Sequence, residues 1–478
     1  MFNKPYAQDP QKYEVKPNFE LHLVQSDDYG SFWDVKQAQA TLDRVEALSK
    51  DSNTLVVLFV HGWHHNADPA DSNLKDSIEA LNELKSLLDT PERRRLREMQ
   101  TGRADVNLVG IYVGWRGRSL PSLLDYLTFW GRKNTAERVG EGDLSEFIER
   151  LQRIYLRANG GGPTEEPSGR STATATTTTT KPKTITGLVT LGHSFGAQVL
   201  WKALARQLES PLTQRSRCLA DRLSPTVLSQ LSTEQVAFNS LGDLNILLNP
   251  ALEAYQFARV DSLYRQIKFL PEQTPQLVVF SSDNDDVRKI WFPLGRAVTG
   301  PFRPNFRAEG DARQGRLWGR ALGEVDDQVS HSLAKSKRAD IGDSLTEQDY
   351  LTPPKIRNYD FTQATTFAGI TLTPSDGKDG RAPRVPNSPV LVVRTEEKII
   401  DGHNKIFEPG FRQFLARYIA FIEGKRLVLR RENSRDARGA SGPTLGTTVK
   451  TADGKTLRGD PGKPAIESGL CDGVPAAP

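Results

Sequence analysis

The sequence predicts an α/β protein, a mostly parallel central sheet with helices on both faces. Three observations carry that expectation. Apolar runs at 55–60 (LVVLFV) and 106–113 (VNLVGIYV) are nearly unbroken and rich in β-branched residues, as in strands covered on both faces. Between them, Leu74, Ile78, Leu81, Leu84 and Leu88 recur at helical spacing. At 188–204 (LVTLGHSFGAQVLWKAL) a strand pattern passes directly into a helix pattern, with one serine between two glycines at the junction.

In chain order, 19–24 (FELHLV) reads as an early strand and 33–48 as a helix, followed by the 55–60 strand, a helix over 71–88 and the 106–113 strand. Residues 119–157 interrupt the alternation with a cluster of Leu120, Leu123, Leu124, Leu127, Phe129 and Trp130. An insertion directly after a strand's carboxyl end lies on the rim where open α/β sheets bind ligands. The segment therefore reads as a surface helix packed on the core or as a mobile cap, with Leu123, Leu127, Phe129 and Trp130 facing an apolar pocket. The stretch 159–183, with its threonine run and few large apolar residues, is expected to be a flexible loop.

A helix continues from Gly196, and two short strands follow at 244–250 (LNILLNP) and 275–286 (PQLVVFSSDNDD). A long insertion, 293–387, opens with a Gly/Arg-rich loop region over 293–345; the final strand is 388–396 and the last helix ends near Gly424. The folded domain is thus placed at 15–424. The remainder, 425–478, turns basic and then Gly/Pro-rich and is expected to be mostly disordered. Counting gives about seven strands with helices between many of them, which supports the doubly covered parallel sheet.

With 63 basic and 59 acidic side chains the formal charge is +4, which predicts no polyanionic partner. The basic residues also lack an interleaved aromatic platform, so nucleic acid is not expected. Cys218 and Cys471 fit a reducing compartment better than a disulfide scaffold, and the seven histidines show no zinc-binding spacing. No stretch reaches the length of a membrane span and the first residues lack a signal-peptide core. A cytoplasmic location is the starting expectation; export by a machine that reads a folded protein or a tail would leave no such mark.

The strand ends carry the chemistry. A hydroxyl at a sharp strand-to-helix turn has a strained backbone, and side chains two before and two after it would collide with neighbouring strands. Gly192 and Gly196 stand at those positions around Ser194, which marks Ser194 as a nucleophile. The N–H of Phe195, at the helix start, is placed to receive a developing oxyanion. His193 diverges from Ser194 at such a turn and reads as packing or pocket lining.

An alcohol needs a base. His403, in the polar turn IIDGHNKIF after the last strand, is the best-placed imidazole; His331 competes but no strand precedes it. Asp283, Asp285 and Asp286 follow the 275–282 run, and composition does not choose among them as the carboxylate that orients the imidazole. The turn His61-Gly62-Trp63 after the 55–60 strand supplies a second backbone donor beside Ser194, from Gly62 or Trp63.

These stretches resemble the α/β-hydrolase superfamily, whose triad order is serine, acid, histidine. More narrowly, FVHGWHHNA, VGIYVGWRG, LVTLGHSFGAQVL, LLNPALEA, FSSDNDD…FPLGR and DGHNKIFEPGF are similar to a group of bacterial and fungal esterase- and lipase-like proteins, over roughly residues 15–424. The resemblance implies Ser194 as nucleophile, Asp285 as the acid of its SSxxD pattern, His403 as base, and Gly62 and Trp63 as the oxyanion turn. Relatives often carry tryptophan directly after the acid; here Asp286 stands there.

The implied activity is hydrolysis of carboxylic esters through an acyl-enzyme, without a cofactor or metal. The substrate is an ester or lipid, and a lipid implies transient contact with a lipid surface. Arg116, Arg118 and Arg132 would suit a phosphate head group, so a phospholipase is the first alternative, extending to the antibacterial lipase effectors that share GHSxG. A non-catalytic binding protein on the same fold is the second.

Overall fold

The computed structural model describes residues 14–117, 129–160, 184–221, 235–236, 238, 241–286, 312–336, 342–359, 362–378, 380–439, 448–450 and 456–458. The expectations for Leu123, Leu127, Arg118 and most of the 159–183 loop lie outside these residues.

Strands β1 (Glu14–Val15), β2 (Glu20–Gln25), β3 (Asn53–Val60), β4 (Val106–Gly114) and β5 (Thr186–His193) form the first part of the main sheet. β6 (Gln235–Val236) and β8 (Lys268–Phe269) lie apart from it, whereas β7 (Leu244–Leu248) and β9 (Leu277–Ser282) continue it. β10 (His331–Lys335), β11 (Thr365–Phe367), β12 (Ile370–Pro374) and β13 (Val390–Thr395) complete it; β14 (Thr448–Lys450) and β15 (Thr456–Arg458) do not join it. The 11-stranded order is β1-β2-β4-β3-β5-β7-β9-β13-β10-β12-β11. All pairs from β2 to β10 are parallel, and the antiparallel ones sit at the two edges. β5, which leads to Ser194, is therefore near the middle.

Helices cover both faces: α1 (Val35–Asp51), α2 (Ser72–Leu88), α3 (Pro91–Thr101), α4 (Phe129–Glu141), α5 (Asp143–Ala158), α6 (Phe195–Asp221), α7 (Ala254–Tyr264), α8 (Ala312–Gly319), α9 (Pro353–Arg357) and α10 (Pro409–Gly439). Side chains alternate across a strand, so β3 sends Val56, Leu58 and Val60 to one core and Leu55, Val57 and Phe59 to the other. The first core holds residues of α1 and α4 to α7, the second those of α2, α3, α9 and α10. Asp34 and Asp71 cap α1 and α2, accepting from Gln37 N at 3.0 Å and Asn73 N at 2.8 Å.

Several expectations need correction. The cap reading of 119–157 fails for 129–157, where α4 and α5 are part of the helical layer: Ala136 and Val139 are fully buried, and Leu144, Phe147, Ile148 and Leu151 carry α5 into the core. Gly140 sets that packing, since a Cβ there would meet the carbonyl oxygen of Val199 and lie 2.7 Å from Lys202 Cβ. Phe129 and Trp130 open α4. The 293–345 region contains α8 and β10, and β10 to β12 extend the sheet beyond β13.

The last helix does not stop at Gly424. It continues to Gly439 with Lys425, Leu427 and Val428 buried, the Lys425 ammonium donating to Tyr359 O at 2.7 Å. Further on, β14 and β15 join β6 and β8 in a four-stranded sheet. No described helix is long and apolar enough to cross a membrane.

Candidate active site

The carboxyl ends of five parallel strands stand in one row. Val60 of β3 is level with Gly192, His193 of β5 with Leu248 of β7, Leu248 with Phe280 of β9, and Ser282 with Thr395 of β13. Residues that follow these ends converge although they are far apart in sequence.

Ser194 follows β5 directly and adopts φ 56°, a left-handed conformation that is unusual for a residue with a side chain. Its surroundings hold it there. Ser194 N donates to Leu248 O at 3.0 Å, Ala251 N to Ser194 O at 3.1 Å, and Ala197 N to the same oxygen at 3.1 Å. The glycines are required as the steric argument predicts. A Cβ on Gly192 would lie 2.6 Å from Gly196 O, and one on Gly196 would run into the carbonyl oxygens of Val60 and His61.

His403 Nε2 is 2.6 Å from Ser194 Oγ, and its Nδ1 is 2.7 Å from Asp285 Oδ2. The carboxylate can only accept, so Nδ1 carries a proton and Nε2 of the neutral ring accepts from the serine hydroxyl. Asp285 is fully buried, and Ser194 and His403 are buried beside it. The three candidate carboxylates separate: Asp285 faces His403, Asp283 lies 3.5 Å from Arg394 Nε, and Asp286 is exposed. His331 is not part of this group. It is the first residue of β10, buried next to Ser330 Oγ at 2.9 Å, and burial pushes its pKa down to about 3.

Polar side chains join the turn bearing Asp285 to the loop bearing His403. Ser282 Oγ donates to Ile400 O at 2.6 Å, Ser282 N to Asn249 Oδ1 at 2.8 Å, and Asn284 Nδ2 to Asp401 Oδ1 at 2.9 Å. Asn249 Nδ2 in turn reaches His403 O at 3.0 Å. Asn249 has φ 41°, a conformation that asparagine tolerates better than most residues. Asn249 and Ser282 escaped the sequence reading, and the Asn-Pro step after β7 was the available signal.

His61 was also missed as more than the end of a strand. Its Nδ1 lies 2.9 Å from Gly62 O, while its Nε2 accepts from Trp115 N at 3.0 Å, so the ring is neutral with its proton on Nδ1. Burial lowers its pKa to about 4, and the ring stacks on Trp115 at 5.7 Å. Held by this bond, the Gly62 carbonyl faces His61, and in a trans peptide the N–H of Trp63 points the opposite way. Gly62 lies against Ser194: a Cβ there would be 2.9 Å from Ser194 Cβ. Trp63 is buried, with its ring 6.2 Å from that of Phe195 at the start of α6.

The rim arginines are internal ion pairs. Arg132 Nη1 lies 2.9 Å from Asp28 Oδ1, and Arg116 pairs with the same carboxylate. A cavity of about 400 Å³ beside them is lined by Asp27, Asp28, Tyr29, Trp33, Arg116 and Arg138. Among the described residues no group of histidine, cysteine and carboxylate side chains could hold a metal ion. Comparison of the chain with family models, curated proteins and solved structures finds no match.

Proposed function

We propose that this protein is a serine hydrolase of the α/β-hydrolase fold that cleaves carboxylic esters through an acyl-enzyme. One observation carries the reading: a strained serine at a strand-to-helix elbow, 2.6 Å from an imidazole whose other nitrogen is 2.7 Å from a buried carboxylate. Ser194 Oγ attacks the ester carbonyl carbon while its proton moves to His403 Nε2. The N–H groups of Phe195 and Trp63 receive the oxyanion, each donor being worth roughly 3 kcal/mol in the transition state. Collapse expels the alcohol, which takes the proton from Nε2. Water then attacks the acyl-serine with His403 again as base, releasing the acid and restoring Ser194. Asp285 stays ionised and balances the imidazolium.

A plain carboxylic ester is favoured over phosphate head-group recognition, because Arg116 and Arg132 both point their guanidinium groups at Asp28, whose carboxylate offsets one of the two charges. The binding-only reading has less support, since serine, base and acid are present and in contact. Fluorophosphonate labelling with p-nitrophenyl butyrate turnover tests the proposal. Label and turnover on the wild type, both absent from a folded Ser194→Ala variant, are expected; turnover unchanged in that variant rejects it.

A further inference from the structure

His193, the residue before the nucleophile, touches three parts of the site at once. Its ring is fully buried, and its Nε2 lies 2.9 Å from the backbone carbonyl oxygen of His403. A carbonyl only accepts, so the His193 proton is on Nε2. That leaves Nδ1 as a bare lone pair, and it has no hydrogen-bond partner among the described residues. Nδ1 is directed at the oxyanion turn, where a Cβ on Gly62 would lie 2.7 Å away. The His193 and His403 rings sit 5.2 Å apart.

We infer that His193 is a positioning residue for His403: together with Asn249 it clamps the carbonyl of the catalytic imidazole's own residue, and so fixes where Nε2 meets Ser194. This rests on the serine hydrolase reading for its effect on turnover, though not for the geometry. His403 O accepts from His193 Nε2 at 2.9 Å and from Asn249 Nδ2 at 3.0 Å, so both its lone pairs are used. A carbonyl held from two directions cannot rotate with its peptide. The preceding residue, Gly402, has φ 91°, a conformation that glycine adopts without strain.

The arrangement also suits the charge that appears during turnover. Burial keeps the His193 pKa well below its ordinary value, with the His403 ring adding to the effect. A neutral His193 does not oppose a positive His403.

Three variants of the full chain test the inference. His193→Phe keeps a ring and removes the donor, His193→Gln restores an N–H without the ring, and Asn249→Ala removes the second donor. Turnover of p-nitrophenyl butyrate in His193→Phe should fall about 10- to 100-fold in kcat, with KM within about twofold. His193→Gln should recover most of the loss, and Asn249→Ala should fall in the same direction. A merely structural histidine would lower thermal stability and leave kcat per folded molecule unchanged, which would overturn the inference.

Nitrogen-15 histidine spectra give a readout independent of activity. In the wild type His193 should hold its proton on Nε2 and remain neutral at the pH where an ordinary imidazole is half protonated. In His193→Phe the His403 Hδ1 resonance should move or broaden. A His193 proton found on Nδ1, or an unaltered His403 resonance in His193→Phe, overturns the inference even if esters are hydrolysed. Absence of ester turnover and Ser194 labelling in the wild type, with these spectra as expected, would reject the hydrolase reading and leave the clamp standing.

Discussion

Asp285→Asn separates an oriented triad from three acidic residues that happen to share a turn. Asp285 and His403 meet at 2.7 Å with side-chain exposures of 0% and 6%, so bulk water does little to replace the lost charge. Asparagine is nearly isosteric, and the fold should survive. Its neutral amide cannot balance an imidazolium, and an amide N–H facing Nδ1 would put the ring proton on Nε2, toward Ser194. The corresponding substitution in a serine triad removes about 10⁴ in kcat. A loss of roughly 10³- to 10⁴-fold is expected here, equivalent to about 4 to 5.5 kcal/mol of transition-state stabilisation.

The assay is p-nitrophenyl butyrate hydrolysis by protein whose melting temperature matches the wild type, run beside Asp283→Asn and Asp286→Asn. Asp283 is half exposed and its contact with Arg394 is 3.5 Å, an ion pair worth at most about 1 kcal/mol to stability. Both control variants should stay within about threefold of wild type. If Asp285→Asn keeps kcat within about tenfold, or Asp283→Asn falls as far as Asp285→Asn, the assignment of the acid is refuted.

Three further outcomes are expected. Gly62→Ala should fold but lose at least about 100-fold in fluorophosphonate labelling rate, because its Cβ would crowd Ser194 Cβ at 2.9 Å and His193 Nδ1 at 2.7 Å; labelling at the wild-type rate would contradict that geometry. Lys133→Met should destabilise by about 3–5 kcal/mol in chemical denaturation, since it removes the cation that the Glu253 carboxylate, 1% exposed, meets at 3.1 Å and that Glu137 meets at 2.8 Å; a cost below about 1 kcal/mol would show these pairs to be dispensable.

Acid should weaken the fold before the carboxylates titrate. The folded state refuses protons at His61 until about pH 4 and at His331 until about pH 3, whereas the unfolded chain binds them near the ordinary value of 6.5. The unfolded state thus holds more protons in this window, so stability is complete above 6.5 and falls as pH drops toward 4; His61 alone contributes on the order of 3 kcal/mol. A melting temperature that stays flat between about pH 6.5 and 4.5 would contradict this.

Much of the site was legible because steric and ordering constraints act locally. A strand, a serine between glycines and a helix can be read in one stretch of 17 letters, LVTLGHSFGAQVLWKAL, and the geometry around Gly192 and Gly196 has the crowding that stretch implies. Buried parallel strands such as β3 and β4 were legible for the same reason, as apolar runs with no alternation. What escaped depends on distant partners. Nothing near Asp285 distinguishes it from Asp283 and Asp286 until His403 and Arg394 are brought alongside. His61 and Asn249 act through carbonyl groups, and a carbonyl leaves no trace in a sequence. Lys425 looked like the start of a charged tail because its ammonium is matched by the Tyr359 carbonyl from another segment. The short strands β10 to β12 are hidden in a Ser- and Thr-rich region whose polar composition suits edges.

The strand that leads to His403, β13, has β9 on one side and β10 on the other, and beyond β10 come β12 and β11. The stretch between β9 and β13 is therefore a seal as much as an insertion. Without it, β13 would leave unpaired the N–H and C=O groups that now meet β10 between Val393 and Thr395, a ready template for another molecule's backbone. A chain shortened there would be driven first toward filaments or aggregates, with the chemistry of the rim untouched inside them.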